Sequence, residues 1–350
     1  MINVLIADDS PATQMYLQFL LEQDGELSVV GLANDGRQAI SLTSRLKPDV
    51  IVMDIHMPGV NGFEATRILM QSTPLPIVIV TSAYDPRDSV VNFQALEAGA
   101  LTLVGKPTGL GHPKQKETSQ ELIATVKAAA RARLNSGPRL APGVRPAVQS
   151  TTLALPRREP LKILAIGAST GGPPVIRDLI QRLIFPFPAP ILIVQHITAG
   201  FIEGFRDWLA QTTNWPVHMA THHLRAHPGT IYLAPDDHHL TITPGFDLVL
   251  KQDVAEHSLR PAVSVLFRSI AQSFGSGSAG VLLTGMGKDG AQELRLIRDR
   301  GGITFAQDQA TSVVFGMPGE AVKLKAATHV LPPEEIAGIL NLLVKGSFHA

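Results

Sequence analysis

The chain has 350 residues, 45% of them hydrophobic and 17% charged, with 30 Lys+Arg balanced by 30 Asp+Glu. That length suits two domains, and the composition excludes a disordered or membrane-embedded protein. There is no cysteine, which excludes a disulfide framework, a cysteine nucleophile and a thiolate metal site. No Lys/Arg block interleaves with aromatics and only Trp208 and Trp215 carry indoles, so nucleic acid is not an expected partner.

Met1 to Ala7 leads directly into Asp8-Asp9 without a basic or long apolar leader, and no apolar stretch reaches spanning length. A cytoplasmic protein with no membrane insertion is expected. Short apolar runs follow at Val4-Ile6, Val29-Leu32, Val50-Met53, Ile77-Val80 and Leu101-Val104. Helical periodicity separates them, as at Ala12-Leu21, with Met15, Leu17, Leu20 and Leu21 apolar, and at Glu121-Leu134. Five βα units predict an α/β domain over residues 1–134: a five-stranded parallel, flavodoxin-like sheet with right-handed crossovers.

The carboxyl ends of these strands carry Asp8 and Asp9, Asp54, Thr81, and Lys106-Pro107. Ligands of open parallel sheets bind at that edge. Each residue alone has an ordinary role as a cap, a strand hydroxyl or a solvated cation. Together, three carboxylates repel unless a cation shares them, and an all-oxygen set suits Mg²⁺. Asp54 then fits the attacking carboxylate in a phosphoryl transfer, with Lys106 and Thr81 contacting the phosphoryl oxygens.

In this arrangement residues from Met1 to about Leu134 resemble the receiver domain of two-component response regulators, and Asp54-Ile-His-Met-Pro-Gly-Val-Asn-Gly62 resembles its phosphoacceptor loop. The resemblance implies phosphorylation of Asp54 by a histidine kinase. Two positions depart from it: Ala83 lies two residues after Thr81, and Leu103 stands where many receivers carry an aromatic switch residue. A leucine cannot report phosphorylation by a ring flip.

Residues 135–160, rich in Pro, Gly and Arg without apolar periodicity, read as a linker. Buried-strand runs resume at Leu161-Ile166 and recur at Ile191-Val194, Gly229-Leu233, Gly280-Leu283 and Gly302-Phe305. They predict a larger, doubly wound, mostly parallel α/β domain over 161–350.

Its first strand enters Gly167-Ala-Ser169-Thr-Gly-Gly-Pro-Pro174 and then a helical segment, Val175-Leu183. A strand, a glycine turn and a helix N-terminus lift a serine hydroxyl toward backbone N–H groups, which serves a nucleophile and its oxyanion. Ser169 as a plain cap, or a dinucleotide phosphate on the glycines, are the alternatives. Against the latter, the G-x-G-x-x-G spacing is absent and the next strand ends in Gln195-His196 instead of an acid. His196 suits a general base, and Asp289, after Leu283-Thr-Gly-Met-Gly-Lys288, would orient it. Asp308 is the rival orienter, and Asp236 and Asp237 are weaker ones. The order Ser…His…Asp differs from the Ser…Asp…His of α/β-hydrolases.

Gly167–Pro173, Val194–His196, Tyr232–Pro235, Arg260–Phe267, Leu283–Ala291 and Ala306–Pro318, in that order, closely resemble motifs of the chemotaxis protein-glutamate methylesterase family. The resemblance spans nearly the whole chain. It implies a Ser169–His196–Asp289 triad, with backbone groups near Thr170 and Met286 stabilising the oxyanion and no cofactor in the catalytic domain. It further implies hydrolysis of glutamate methyl esters on chemoreceptors, often with deamidation of receptor glutamines, and release from inhibition when the receiver is phosphorylated. Ile197-Thr198 departs from the Met-Pro that commonly follows the histidine, and Asp236-Asp237-His238-His239 replaces a glycine-containing turn. A phosphorylation-gated binding module that keeps the fold without catalysis is the competing expectation. His222, His223, His227, His238 and His239 lack metal-ligand spacing and are expected to be solvated loop residues.

Overall fold

A computed structural model describes residues 1–81, 89–132 and 159–345. The linker expected at 135–160 therefore lies outside the described residues except for Glu159 and Pro160, and Ala83 lies outside them entirely.

The first sheet contains β1 (Ile2–Ala7), β2 (Leu27–Ala33), β3 (Val50–Met53), β4 (Ile77–Thr81) and β5 (Thr102–Gly105), in the order β2-β1-β3-β4-β5. All four pairings are parallel. The helices are α1 (Pro11–Glu22), α2 (Gly36–Leu46), α3 (Gly62–Ser72), α4 (Ser89–Glu97) and α5 (Gln115–Arg131). β3 and β4 are buried along their whole length, as expected of Val/Ile runs covered on both faces. Each such side chain removed from water contributes about 1.5–3 kcal/mol. Ser10, Asp35 and Asn61 cap α1, α2 and α3 by accepting from the N–H of Thr13, Gln38 and Glu64. Met15, read as an apolar position of α1, is instead 70% exposed, because the buried stripe runs through Gln14, Leu17, Leu20 and Leu21.

The second sheet has seven strands: β6 (Ile163–Ala168), β7 (Ile191–Gln195), β8 (Val217–Met219), β9 (Ile231–Leu233), β12 (Ser278–Leu282), β13 (Ile303–Gln307) and β14 (His329–Leu331). Between β9 and β12 a separate antiparallel hairpin is formed by β10 (His239–Ile242) and β11 (Leu248–Lys251). The sheet order is β14-β13-β12-β6-β7-β9-β8, and every pairing in it is parallel. Helices α6 (Gly172–Arg182), α7 (Ile202–Thr213), α8 (Val263–Phe274), α9 (Ala291–Asp299), α10 (Met317–Lys323) and α11 (Pro333–Lys345) complete the domain.

The three-residue edge strands β8 and β14 and the hairpin are absent from the sequence expectations. β8 and β14 are half-exposed runs with little apolar contrast, and the hairpin gains its place by packing on α8. There Ile242 N donates to Ser269 Oγ, and Ser273 Oγ donates to Ile242 O.

The two domains pack together. Phe93 of α4 lies with its ring centroid 5.8 Å from that of Phe205 and 5.6 Å from that of Trp208, both on α7. Trp208 Nε1 donates to Glu97 Oε1 at 3.0 Å. These rings join the buried residues of the two domains into one apolar cluster.

Candidate functional site

Asp8 and Asp9 follow β1, Asp54 follows β3, and these strands are neighbours where the order of the first sheet reverses. Their carboxylate oxygens come within 4.8 Å of one another. Lys106 Nζ lies 2.8 Å from both Asp8 Oδ2 and Asp54 Oδ2. Burial pushes the Asp54 carboxyl above its usual range, and Asp8 adds to this, while Lys106 and the Ile55 N–H only partly offset it. Burial pulls the Lys106 ammonium down, but Asp54 and Asp8 outweigh that and hold it above the ordinary lysine value. Thr81 is fully buried and its hydroxyl has no partner among the described residues. An acidic cluster with too little positive charge and an idle hydroxyl fits an arriving cation and phosphoryl group. Leu103 is buried within β5, with no polar atom to offer the site.

In the second sheet the register pairs Ala168 of β6 with Gln195 of β7, so the next residues, Ser169 and His196, leave the sheet side by side. His196 N donates to Ala168 O at 2.9 Å, and Ser169 N donates to Thr284 O at 3.0 Å. Thr284 follows β12 on the other side of β6, which ties the Ser169 turn between both neighbours. Gly171 closes this turn at φ +77°, and a Cβ there would also strike Val313, so glycine is required.

His196 Nε2 lies 3.0 Å from Asp289 Oδ2, and the two side chains are 9% and 2% exposed. Asp289 Oδ2 also accepts from Val263 N at 2.6 Å, and Oδ1 accepts from Ser264 N at 3.0 Å and from the Ser264 hydroxyl. The carboxylate thus sits on the N-terminus of α8. Burial alone would raise its pKa; the His196 ring 3.0 Å away and the bonds from Ser264 outweigh burial and hold it below the ordinary carboxylate range. Among the described residues the N–H groups of Thr170 and Met286 have no hydrogen-bond partner. That leaves them available to a developing oxyanion.

The rival orienters are engaged elsewhere. Asp308 Oδ1 accepts from the N–H and hydroxyl of Thr311. Asp236 Oδ2 accepts from Gly200 N at 2.7 Å, and Asp237 Oδ1 pairs with Arg260. One expectation about the histidines fails: His239 is not a solvated loop residue but is 1% exposed, with Nδ1 accepting from Ala262 N and Nε2 3.2 Å from Val254 O. Among the described residues Asp8, Asp9 and Asp54 form the only metal-type cluster.

Three further residues, Ser264, Gln195 and Gln307, support the site from outside the predicted set. Ser264 had a usable signal, a short polar residue at a helix start. The two buried glutamines had none, since a strand-end glutamine is ordinarily exposed. Gln307 Oε1 accepts from Thr284 N at 2.7 Å and so braces the loop that receives Ser169 N.

Thr198, two residues past His196, touches the receiver. Its hydroxyl accepts from Gly105 N at 3.2 Å and donates to Glu121 Oε1 at 3.0 Å. A Cβ on Gly105 would lie 2.7 Å from the Thr198 methyl, so only glycine admits this approach. Burial raises the Glu121 carboxyl, against the lowering bond from Thr198. Between the two domains a cleft of about 1160 Å³ is lined by Ile123, Lys127 and Arg131 of α5 and by Met286, Val313 and Phe315 of the second domain.

The family model described as CheB methylesterase matches residues 164–340, and that of the response regulator receiver domain matches residues 4–115. A protein-glutamate methylesterase/protein-glutamine glutaminase of Nitrosospira multiformis is 45% identical over 98% of this chain and 97% of its own length. A second, of Geobacter metallireducens, is 45% identical over 98% of this chain and 99% of its own. Among solved structures, the CheB methylesterase catalytic domain of Thermotoga maritima matches with a TM-score of 0.51 and 37% identity, covering 52% of this chain and 98% of that one.

Proposed function

This chain belongs to the CheB methylesterase family, and from that premise we propose a phosphorylation-controlled cycle run by Ser169, His196 and Asp289 at one centre and by Asp54 at the other. The protein is a hydrolase with a receiver domain in front. Its substrates in this reading are glutamate methyl esters on chemoreceptors, and receptor glutamines as a second class. We assign residues 1–134 to the receiver, 135–160 to a linker and 161–350 to the catalytic domain, in a cytoplasmic protein serving chemotactic adaptation.

The observation that carries the catalytic reading is the 3.0 Å approach of His196 to Asp289, beside a serine one step past the sheet ladder. Asp289 faces Nε2, which leaves Nδ1 to take the Ser169 proton. The alkoxide attacks the ester carbonyl, and the N–H groups of Thr170 and Met286 receive the oxyanion. Each such donor is worth about 10²–10³ in rate. Collapse breaks the bond to the methoxy oxygen, which takes the proton from His196 and leaves as methanol. Water, deprotonated by His196, then attacks the acyl-serine, and the glutamate carboxyl departs as Ser169 is reprotonated. With a glutamine substrate ammonia replaces methanol.

In the receiver Asp8, Asp9 and Asp54 would hold Mg²⁺, which when bound supplies charge neutralisation at the phosphoryl oxygens. Asp54 accepts the phosphoryl group from a histidine kinase, Lys106 contacts its oxygens, and Thr81 donates its hydroxyl. The unphosphorylated receiver restrains catalysis by setting α5 across the cleft from Met286 and by holding Thr198, two residues past the base, on Gly105 and Glu121. Phosphorylation would draw on Lys106 and Thr81 and loosen that contact.

Methanol release from methylated chemoreceptors, with and without a small-molecule phosphodonor, tests the reading. Ser169→Ala should remove turnover by about 10⁴-fold or more. Activity that persists in Ser169→Ala eliminates the triad, whereas receptor binding without turnover by the unaltered chain supports a non-catalytic module.

A further inference from the structure

Gln195, the last residue of β7, is 3% exposed, and its amide nitrogen donates two hydrogen bonds. One goes to Ser169 O at 2.9 Å and the other to His196 O at 2.7 Å. Both partners are carbonyl oxygens, so the amide can only face them with its NH₂; the flipped amide would set oxygen against oxygen. The amide oxygen is buried without a partner and is pressed toward Gly172, where an added Cβ would lie 2.2 Å from it. An unpaired buried acceptor is a cost that an apolar side chain of the same shape would avoid. Fold stability is therefore a poor account of this glutamine.

Its place in the sheet supplies a better one. The β6–β7 ladder ends where His196 N reaches Ala168 O. Beyond that point the carbonyls of Ser169 and His196, two acceptors that cannot bond each other, both lie within reach of one amide nitrogen. The Gln195 NH₂ bridges them and so extends the ladder by one rung, made from a side chain. The peptide it grips on the β6 side is Ser169–Thr170, a rigid plane whose opposite end is the Thr170 N–H. The same carbonyl accepts from Gly172 N at 2.8 Å. Donors on the carbonyl both orient that plane and polarise its N–H.

We propose that Gln195 is a positioning residue for the esterase reaction: its amide fixes the Ser169–Thr170 peptide, and with it the Thr170 oxyanion donor, at a set distance from the His196 peptide. The proposal rests on the Ser169–His196–Asp289 reading and extends it to a residue that touches neither substrate nor transferred proton.

The full chain carrying Gln195→Met or Gln195→Glu tests it by methanol release from methylated chemoreceptors, with Ser169→Ala in parallel. Methionine keeps the length and burial but loses both donors. In Gln195→Met, kcat should fall about 10- to 100-fold while KM stays within about two-fold, since only the transition state feels the misplaced donor. Glutamate is isosteric; protonated it can still donate once, and ionised it turns an anion on two carbonyls. The ratio of the kcat of the original enzyme to that of Gln195→Glu should therefore widen as pH rises, a signature that a general loss of packing would not produce.

A folded Gln195→Met with kcat within two-fold of the original, or a ratio for Gln195→Glu flat with pH, overturns the proposal. If Gln195→Met does not fold, the Gln195→Glu profile decides; if neither folds, Gln195 serves the fold and the proposal fails. Turnover by Ser169→Ala would instead sink the triad reading itself, while an inert Ser169→Ala beside a fully active Gln195→Met sinks the positioning role alone.

Discussion

The two centres of this protein occupy equivalent places in two parallel sheets and treat a buried aspartate in opposite ways. Asp54 stands at the reversal of the order β2-β1-β3-β4-β5, and Asp289 follows β12, beside β6, where the second sheet reverses. Asp54 has one lysine, shared with Asp8, and one backbone N–H, and burial pushes its carboxyl up. Asp289 has two backbone N–H groups of α8, the Ser264 hydroxyl and His196, and is held down. Burial is common to both; the supply of donors is what differs. An under-satisfied carboxylate is reactive and ready to receive a group. A saturated one is inert and suited to orienting an imidazole and stabilising its cation.

The largest effect should come from breaking the saturated site. Asp289→Asn places an NH₂ against the N–H groups of α8 or against His196, and kcat for receptor demethylation should drop by about 10³-fold or more. The same substitution probes the pKa. Because the Asp289 carboxyl is depressed in the fold, its stabilisation is complete above its unfolded value of about 4 and is lost as pH falls through the lower folded value. Urea midpoints of the original chain and of Asp289→Asn should therefore differ at neutral pH and converge in acid. A gap that stays constant with pH would mean that α8 does not hold the ionised form.

Next in size is the under-satisfied site. Asp54→Asn should leave the unstimulated rate unchanged and abolish the increase given by a phosphodonor, an increase expected within about 5- to 150-fold for coupling of 1–3 kcal/mol. A phosphodonor response that survives would place the acceptor elsewhere. Ser264→Ala sharpens the contrast by removing one donor from Asp289 and leaving Gly290 N without its partner. It should cost about 1–3 kcal/mol in chemical denaturation and several-fold in kcat.

The smallest effect concerns the link between the centres. Thr198→Val keeps the shape but removes the hydroxyl that meets Gly105 N and Glu121. Loss of about 1 kcal/mol of docking should raise the unphosphorylated rate two- to five-fold and leave the phosphorylated rate alone. Equal changes in both rates would place Thr198 in catalysis and not in restraint.

Both sheets were legible from the chain alone, because Val50-Met53, Ile77-Val80 and Ile191-Val194 are dense apolar runs whose burial on two faces admits little else. The strand-end residues followed, since the topology of parallel sheets sends Asp54, Ser169 and His196 to the binding edge. Short or half-exposed elements such as β8, β14 and the β10–β11 hairpin were not legible, as their stability comes from neighbours instead of from their own pattern.

What the sequence determined by itself is therefore local chemistry: which residues could attack, donate or neutralise, and along which strand each would arrive. Tertiary structure alone gave the two candidates their different partners: Asp289 lies against His196, whereas Asp308, directly after β13, accepts from Thr311. It alone set the pKa directions of Asp54 and Asp289, through burial and through partners far along the chain, with Lys106 52 residues from Asp54 and Ser264 25 from Asp289. It also gave Gln195 and Thr198 their partners, because a hydrogen bond between distant residues is fixed by the packing that brings them together and leaves no trace in the order of the chain.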